Sequence, residues 1–83
     1  MRITVRYFAS LREAIGQGSE AVETDADTLA ALRSELIARG GAHAQALGPG
    51  RPVRMALDQV MSDGSTGLRD GCEVAFFPPV TGG

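Results

Sequence analysis

No lysine and no tryptophan occur in this chain, and there is one cysteine and one histidine. Each scarcity excludes something. With Cys72 alone no intramolecular disulfide can form, and a reducing compartment, the cytoplasm, is expected. His43 stands in an alanine-rich stretch without a partner at metal-ligand spacing, so no metal site is expected. The eight basic residues are all arginine and are scattered from Arg2 to Arg69. No basic run could follow a phosphate backbone, which argues against nucleic-acid binding. Without lysine, the side chains cannot accept an isopeptide. No apolar stretch approaches the roughly 18 residues that a membrane-spanning helix needs. Met1-Arg2-Ile3-Thr4-Val5 also lacks the apolar core of a secretory signal. No glycine-rich phosphate loop precedes a helix, and no Ser/His/Asp or Cys/His set can be assembled.

What remains is a chain of 83 residues with a net charge of -2. That is one domain with a thin core and no room for a deep catalytic pocket. A partner that completes a site is expected from size alone.

The hydrophobic pattern is periodic. From Arg2 to Phe8, Ile3, Val5 and Tyr7 share one face, which reads as a half-buried strand. Ser10 and Glu13 match a capping box for a short helix ended by Gly16-Gln17-Gly18. Residues 19–24 read as a second strand. Asp25 and Asp27 are the candidate N-caps of a longer helix over 28–39, with Leu29, Leu32 and Leu36 as its apolar stripe. Glu35 and Arg39 have the spacing of an i,i+4 ion pair. Gly40-Gly41 should end that helix, and 42–47 should add one further turn. Residues 53–58 read as a strand with Val53, Met55 and Leu57 on one face. Val60-Met61 reads as a short strand, and Cys72 to Phe77 as the last one. The expected fold is α+β: a mixed sheet with the first and last strands paired centrally and one main helix across one face. That is a β-grasp, ubiquitin-like arrangement. Residues 1–77 would form the domain and 78–83 an extended tail.

In the last strand, Val74 and Phe76 alternate with Ala75 and Phe77. With the first pair facing the helix, Phe77 is left on the outer side, where an apolar group reads as an interface anchor. Pro78 and Pro79 have no N–H and cannot continue a ladder, so the chain leaves the body stiffly. From Pro78 to Gly83 it can reach about 20 Å at roughly 3.3 Å per residue. Gly82 and Gly83 carry no side chain, so such an end threads a narrow channel and leaves its carboxylate uncrowded. A carboxylate is a poor electrophile. It needs activation by adenylation in another enzyme before sulfur can attack it. Cys72 reads as a small buried apolar residue rather than a persulfide carrier. His43 reads as a surface or cap residue. Asp58, Asp63, Asp70 and Glu73 make the second half locally acidic, each most simply a solvated side chain.

The run Asp70-Gly71-Cys72-Glu73-Val74-Ala75-Phe76-Phe77-Pro78-Pro79-Val80-Thr81-Gly82-Gly83 resembles the C-terminal signature of the MoaD family, the small subunits of molybdopterin synthase. Tyr7-Phe8-Ala9-Ser10-Leu11-Arg12-Glu13 resembles the family's first strand and turn. The resemblance covers the whole chain. It implies a β-grasp fold and a Gly83 that is adenylated by an E1-like enzyme with ATP. AMP would be linked to Gly83 only transiently, with no permanently bound cofactor. A sulfurtransferase would supply sulfur, and the resulting thiocarboxylate would donate it to cyclic pyranopterin monophosphate. Two small subunits would join a dimer of the large subunit, which carries the catalytic residues. By position, Phe77 would be an interface anchor, and Pro78, Pro79, Val80, Thr81, Gly82 and Gly83 the inserted arm. Cys72 departs from the family's usual acidic residue, and Asp58 from its frequent Asn before Gln59. The rival readings are a carrier for thiamin thiazole synthesis or tRNA thiolation, a modifier joined through Gly83 to lysines of other proteins, and an interaction module with an inert end.

Overall fold

The computed structural model describes residues 1–79. Alternation drives the strands. In β1 (Arg2–Tyr7), Ile3, Val5 and Tyr7 are buried while Arg2, Thr4 and Arg6 face water. β2 (Ser19–Glu23) runs antiparallel beside it, with Val22 opposite Ile3 and Glu20 opposite Val5. β5 (Glu73–Phe77) lies on the other side of β1 and runs parallel to it, with Val74 opposite Val5 and Phe76 opposite Tyr7. β3 (Arg54–Leu57) pairs antiparallel with β5, and the short β4 (Val60–Ser62) closes the edge. The sheet order is β2-β1-β5-β3-β4. The expected β-grasp is the fold found.

Three helices cover one face: α1 (Ala9–Ile15), α2 (Leu29–Ile37) and α3 (Gly41–Leu47). Leu29, Leu32 and Leu36 of α2 and Leu47 of α3 have no exposed surface, and they pack on Val5, Val74 and Phe76. The stretch after Gly40 is thus a helix of seven residues, longer than the single turn expected. Gly40 and Gly41 have φ of 76° and 54°, and this pair of left-handed positions separates α2 from α3. None of these helices is long and apolar enough to cross a membrane.

Local expectations fail where tertiary contacts take over. The capping box does not form. Phe8 is the N-cap of α1, and Ser10 lies inside the helix. The Phe8 N–H still donates to Phe76 O at 3.1 Å, as part of the β1–β5 ladder, while its carbonyl accepts from Leu11 and Arg12. The chain must turn at once, and Ala9 makes the corner with φ of 52°. Neither Asp25 nor Asp27 caps α2. Thr28 does, accepting from Ala31 N at 3.2 Å, because the Asp27 carbonyl is taken by Leu68 N. Glu35 and Arg39 do not form the expected pair. The helix ends before Arg39, whose guanidinium reaches Glu20 at 2.8 Å, while Glu35 accepts from Thr24 Oγ1 at 2.7 Å.

The β3–β4 hairpin turns on Asp58 and Gln59, both left-handed at φ of 47° and 68°. Asp58 is held there by Glu73 N, which donates to its Oδ1 at 2.9 Å, and by Arg69. Gln59 makes no side-chain hydrogen bond among the described residues. A left-handed L-residue costs about 1–2 kcal/mol, partly offset by the greater freedom glycine has when unfolded. Gln59→Gly is therefore expected to stabilise the fold by roughly 0.5–1 kcal/mol, read as a rise in the midpoint of urea unfolding. An unchanged or lower midpoint would mean the turn is not strained.

Candidate functional site at the root of the tail

Because β1 and β5 are parallel, both end at the same edge of the domain. There β1 turns into α1, and β5 runs out through Pro78 and Pro79, which are half-buried. Val80, Thr81, Gly82 and Gly83 lie outside the described residues.

The face of the sheet away from the helices carries an apolar patch at this same edge. Its first row, read across β4, β3, β5 and β1, is Met61, Ala56, Ala75 and Arg6. In the next row Arg54 faces Phe77. Phe8 lies one step beyond the Tyr7–Phe76 pair, so it neighbours Phe77 in the ladder. Ala56 and Ala75, whose small side chains are buried, form the floor. Phe8 is 39% exposed and Met61 56%. Arg6 sits over the Phe8 ring, 5.1 Å from its centroid. Phe77 is on the outer face as expected, but half-buried rather than fully exposed. Phe8 and Met61 were not singled out by sequence reasoning. The available signal was parity: Phe8 has the parity of Arg2, Thr4 and Arg6, the wet side of β1.

Around the rim, on the helix side, a hollow of about 230 Å³ opens between α1, Ala46, Arg51, Pro52 and Pro78. Arg51 is anchored by its Nε to Gln45 O at 2.9 Å, and Arg33 donates to Leu47 O at 2.8 Å. These bonds tie the 48–52 loop to α2 and α3 beside the tail root.

Beneath β1, on the inner face, lies a second polar centre. Glu20 accepts from Tyr7 Oη at 2.7 Å and Arg39 at 2.8 Å, and its Oε2 lies 2.9 Å from His43 Nε2. His43 is not a surface or cap residue, as its side chain is only 15% exposed and its ring meets Tyr7 edge-on at 5.9 Å. Burial alone would raise the Glu20 carboxyl, but the three hydrogen bonds outweigh it and bring the group down to about 2. Burial, reinforced by the Glu20 carboxylate, holds the Tyr7 phenol above its ordinary value. Tyr7 stacks on Phe76, so this cluster supports the strand that leads to the tail. Cys72 is buried and free, as expected. Among the described residues no group of three or more metal-ligating side chains occurs. Among the described residues the tail edge presents apolar and cationic surface and no nucleophile–base pair.

The ThiS family model matches residues 5–83. The molybdopterin synthase sulfur carrier subunit of Escherichia coli is 42% identical, over 98% of this chain and 99% of that protein. The small archaeal modifier protein 3 of Haloferax volcanii is 37% identical, over the whole of both chains. Among solved structures, a chain in the complex of subunits 1 and 2 of the molybdopterin-converting factor from Helicobacter pylori superposes with a TM-score of 0.70. It has 26% identity and full coverage of both chains.

Proposed function

The chain belongs to the ThiS family and resembles molybdopterin synthase sulfur carriers along its whole length, and from this we propose that it is the sulfur carrier of a molybdopterin synthase. Its working group is the Gly83 carboxylate. One observation carries the reading: the parallel β1–β5 pair sends Pro78-Pro79 off the apolar edge formed by Phe8 and Phe77. An enzyme that grips this patch receives the tail in a defined direction.

Activation takes place in an E1-like partner in the cytoplasm. A Gly83 carboxylate oxygen attacks the α-phosphorus of ATP, and pyrophosphate leaves. The terminal sulfur of a sulfurtransferase persulfide attacks the acyl carbon and displaces AMP. A second thiol then cleaves the resulting acyl disulfide, leaving a thiocarboxylate on Gly83 and a disulfide on the donor side. A side chain beside the carbonyl would crowd both attacks, and glycine has none. The tail then enters the large subunit, in an assembly of two small and two large subunits, and donates sulfur to cyclic pyranopterin monophosphate. The Helicobacter pylori complex supports a large-subunit partner of this kind. The chain's own contribution is to bind, to aim the tail and to keep the acyl carbon accessible. ATP belongs to the activating enzyme.

The test is the intact mass after incubation with an E1-like enzyme, ATP and a sulfur donor. The expected gain is one oxygen replaced by one sulfur, absent when Gly83 is deleted. If several active E1-like enzymes produce no change, the carrier reading is wrong. The likeness to a small archaeal modifier protein favours a second reading, in which Gly83 is joined to an amine of another protein. Larger conjugates in cell extract, lost with Gly83, would support it.

A further inference from the structure

We infer that this chain is an acyl donor that cannot act as an acyl acceptor, with arginine used around the tail root so that an activated Gly83 does not react with its own body. The inference rests on the reading of Gly83 as the carrier group. An acyl adenylate or thioester is attacked by amines. The amine nitrogen adds to the acyl carbon, AMP or thiol leaves, the nitrogen loses a proton and an amide remains. A tethered amine has a large advantage, because effective molarities of well-placed neighbours far exceed any free concentration. The tail can span about 20 Å at roughly 3.3 Å per residue, so every nucleophile near its root is a hazard.

Among the described residues the amine, thiol, phenol and imidazole groups are withdrawn one by one, and Ser10, which lines the hollow beside Pro78, offers only a neutral hydroxyl, a weak nucleophile. There is no lysine. The α-amine of Met1 donates to Thr24 O at 2.8 Å, at the end of β1 opposite the tail. Cys72, the one thiol, is 4% exposed and precedes β5, again at the far end. The Tyr7 hydroxyl and His43 Nε2 are both bound to Glu20. Yet the tail edge is not short of positive charge. Arg54 faces Phe77 across the β3–β5 ladder, Arg6 stands over Phe8, and Arg51 lines the hollow beside Pro78. Lysine would supply the same charge, but with a pKa of about 10.4 it keeps a reactive free-base fraction near neutral pH. Guanidinium stays protonated and offers no lone pair for attack. The edge therefore keeps cationic surface for a partner without an internal acceptor. Any conjugate this chain forms carries single copies, because a second copy finds no lysine on the first.

The test uses the full chain with Gly83 converted to an alkyl thioester, held at mildly alkaline pH without any activating enzyme. Wild type is expected to decay by hydrolysis alone. Arg54→Lys and Arg51→Lys are each expected to give cyclic or dimeric amides, mapped to the new lysine, at roughly tenfold the wild-type level or more. Amide-linked products in wild type at the level of the variants would overturn the inference. So would lysine variants that form no more amide than wild type. No activating enzyme is present, so this outcome is independent of whether Gly83 is adenylated, which the intact-mass experiment decides.

Discussion

Glu20→Ala is expected to cost about 3 kcal/mol of stability near neutral pH, and most of that cost should disappear in acid. The size follows from one set of hydrogen bonds. The Glu20 carboxyl lies at about 2 in the fold against an ordinary 4.5. At about 1.36 kcal/mol per pKa unit, this difference corresponds to roughly 3 kcal/mol. The hydrogen bonds that lower the carboxyl are the ones the substitution removes: it strips a buried tyrosine hydroxyl of its acceptor and leaves Arg39 and His43 without their shared carboxylate. An orphaned buried polar group costs about 1–3 kcal/mol. The sign follows from the lowered value. The contribution is present above pH 4.5 and is lost progressively as the pH falls toward 2, where the unfolded form is protonated and the folded form is half protonated. For a domain of this size the neutral-pH loss corresponds to a fall of about 12–24 °C in melting temperature. Urea unfolding of both proteins at pH 6.5 and at pH 2.5 checks it. A neutral-pH difference under about 0.5 kcal/mol would show the cluster to be energetically idle. An equal difference at both pH values would assign the effect to lost packing instead of charge.

The outer-face patch should govern binding to the large subunit. Phe8→Asp and Phe77→Asp are each expected to weaken that affinity a hundredfold or more. Truncating an aromatic anchor costs about 2–4 kcal/mol, and a carboxylate buried in its place adds a desolvation penalty. Neither ring belongs to the core cluster, so the fold should survive. Val60→Asp is the informative control. Val60 is 65% exposed, more than Phe8, but it has the parity of Leu57, the opposite face of the sheet. Its replacement is expected to leave affinity unchanged. Calorimetry with the purified large subunit separates the cases. Wild-type affinity in folded Phe8→Asp and Phe77→Asp would remove this face from the interface. Weakening by Val60→Asp alone would move the interface to the β4 edge.

Much of the body was legible from pattern. The alternation of Ile3, Val5 and Tyr7, and the stripe of Leu29, Leu32 and Leu36, both reappear as buried positions, because burial acts on period more than on residue identity. Termini were less legible. Ser10 and Glu13 satisfy a capping pattern, but the Phe8–Phe76 hydrogen bond starts α1 earlier. Arg39 looked like a helix partner of Glu35, but the helix ends short of it and β2 supplies a better carboxylate. The Tyr7–Glu20–His43 cluster joins residues 13 and 23 positions apart, and no local spacing encodes it.

The site divides along the same line. The amino-acid sequence by itself determined the chemistry available: no lysine, one thiol, no catalytic set, and a run from Pro78 to Gly83 that resembles a carrier tail. Those are properties of composition and of neighbouring residues, and they do not depend on folding. Only the tertiary structure decided what surrounds the tail. The parallel pairing of residues nearly 70 positions apart brings Phe8 beside Phe77, and the antiparallel β3 adds Arg54 to the same edge. Sheet register assigns faces and neighbours, and register is set by the packing of the whole core rather than by any one strand.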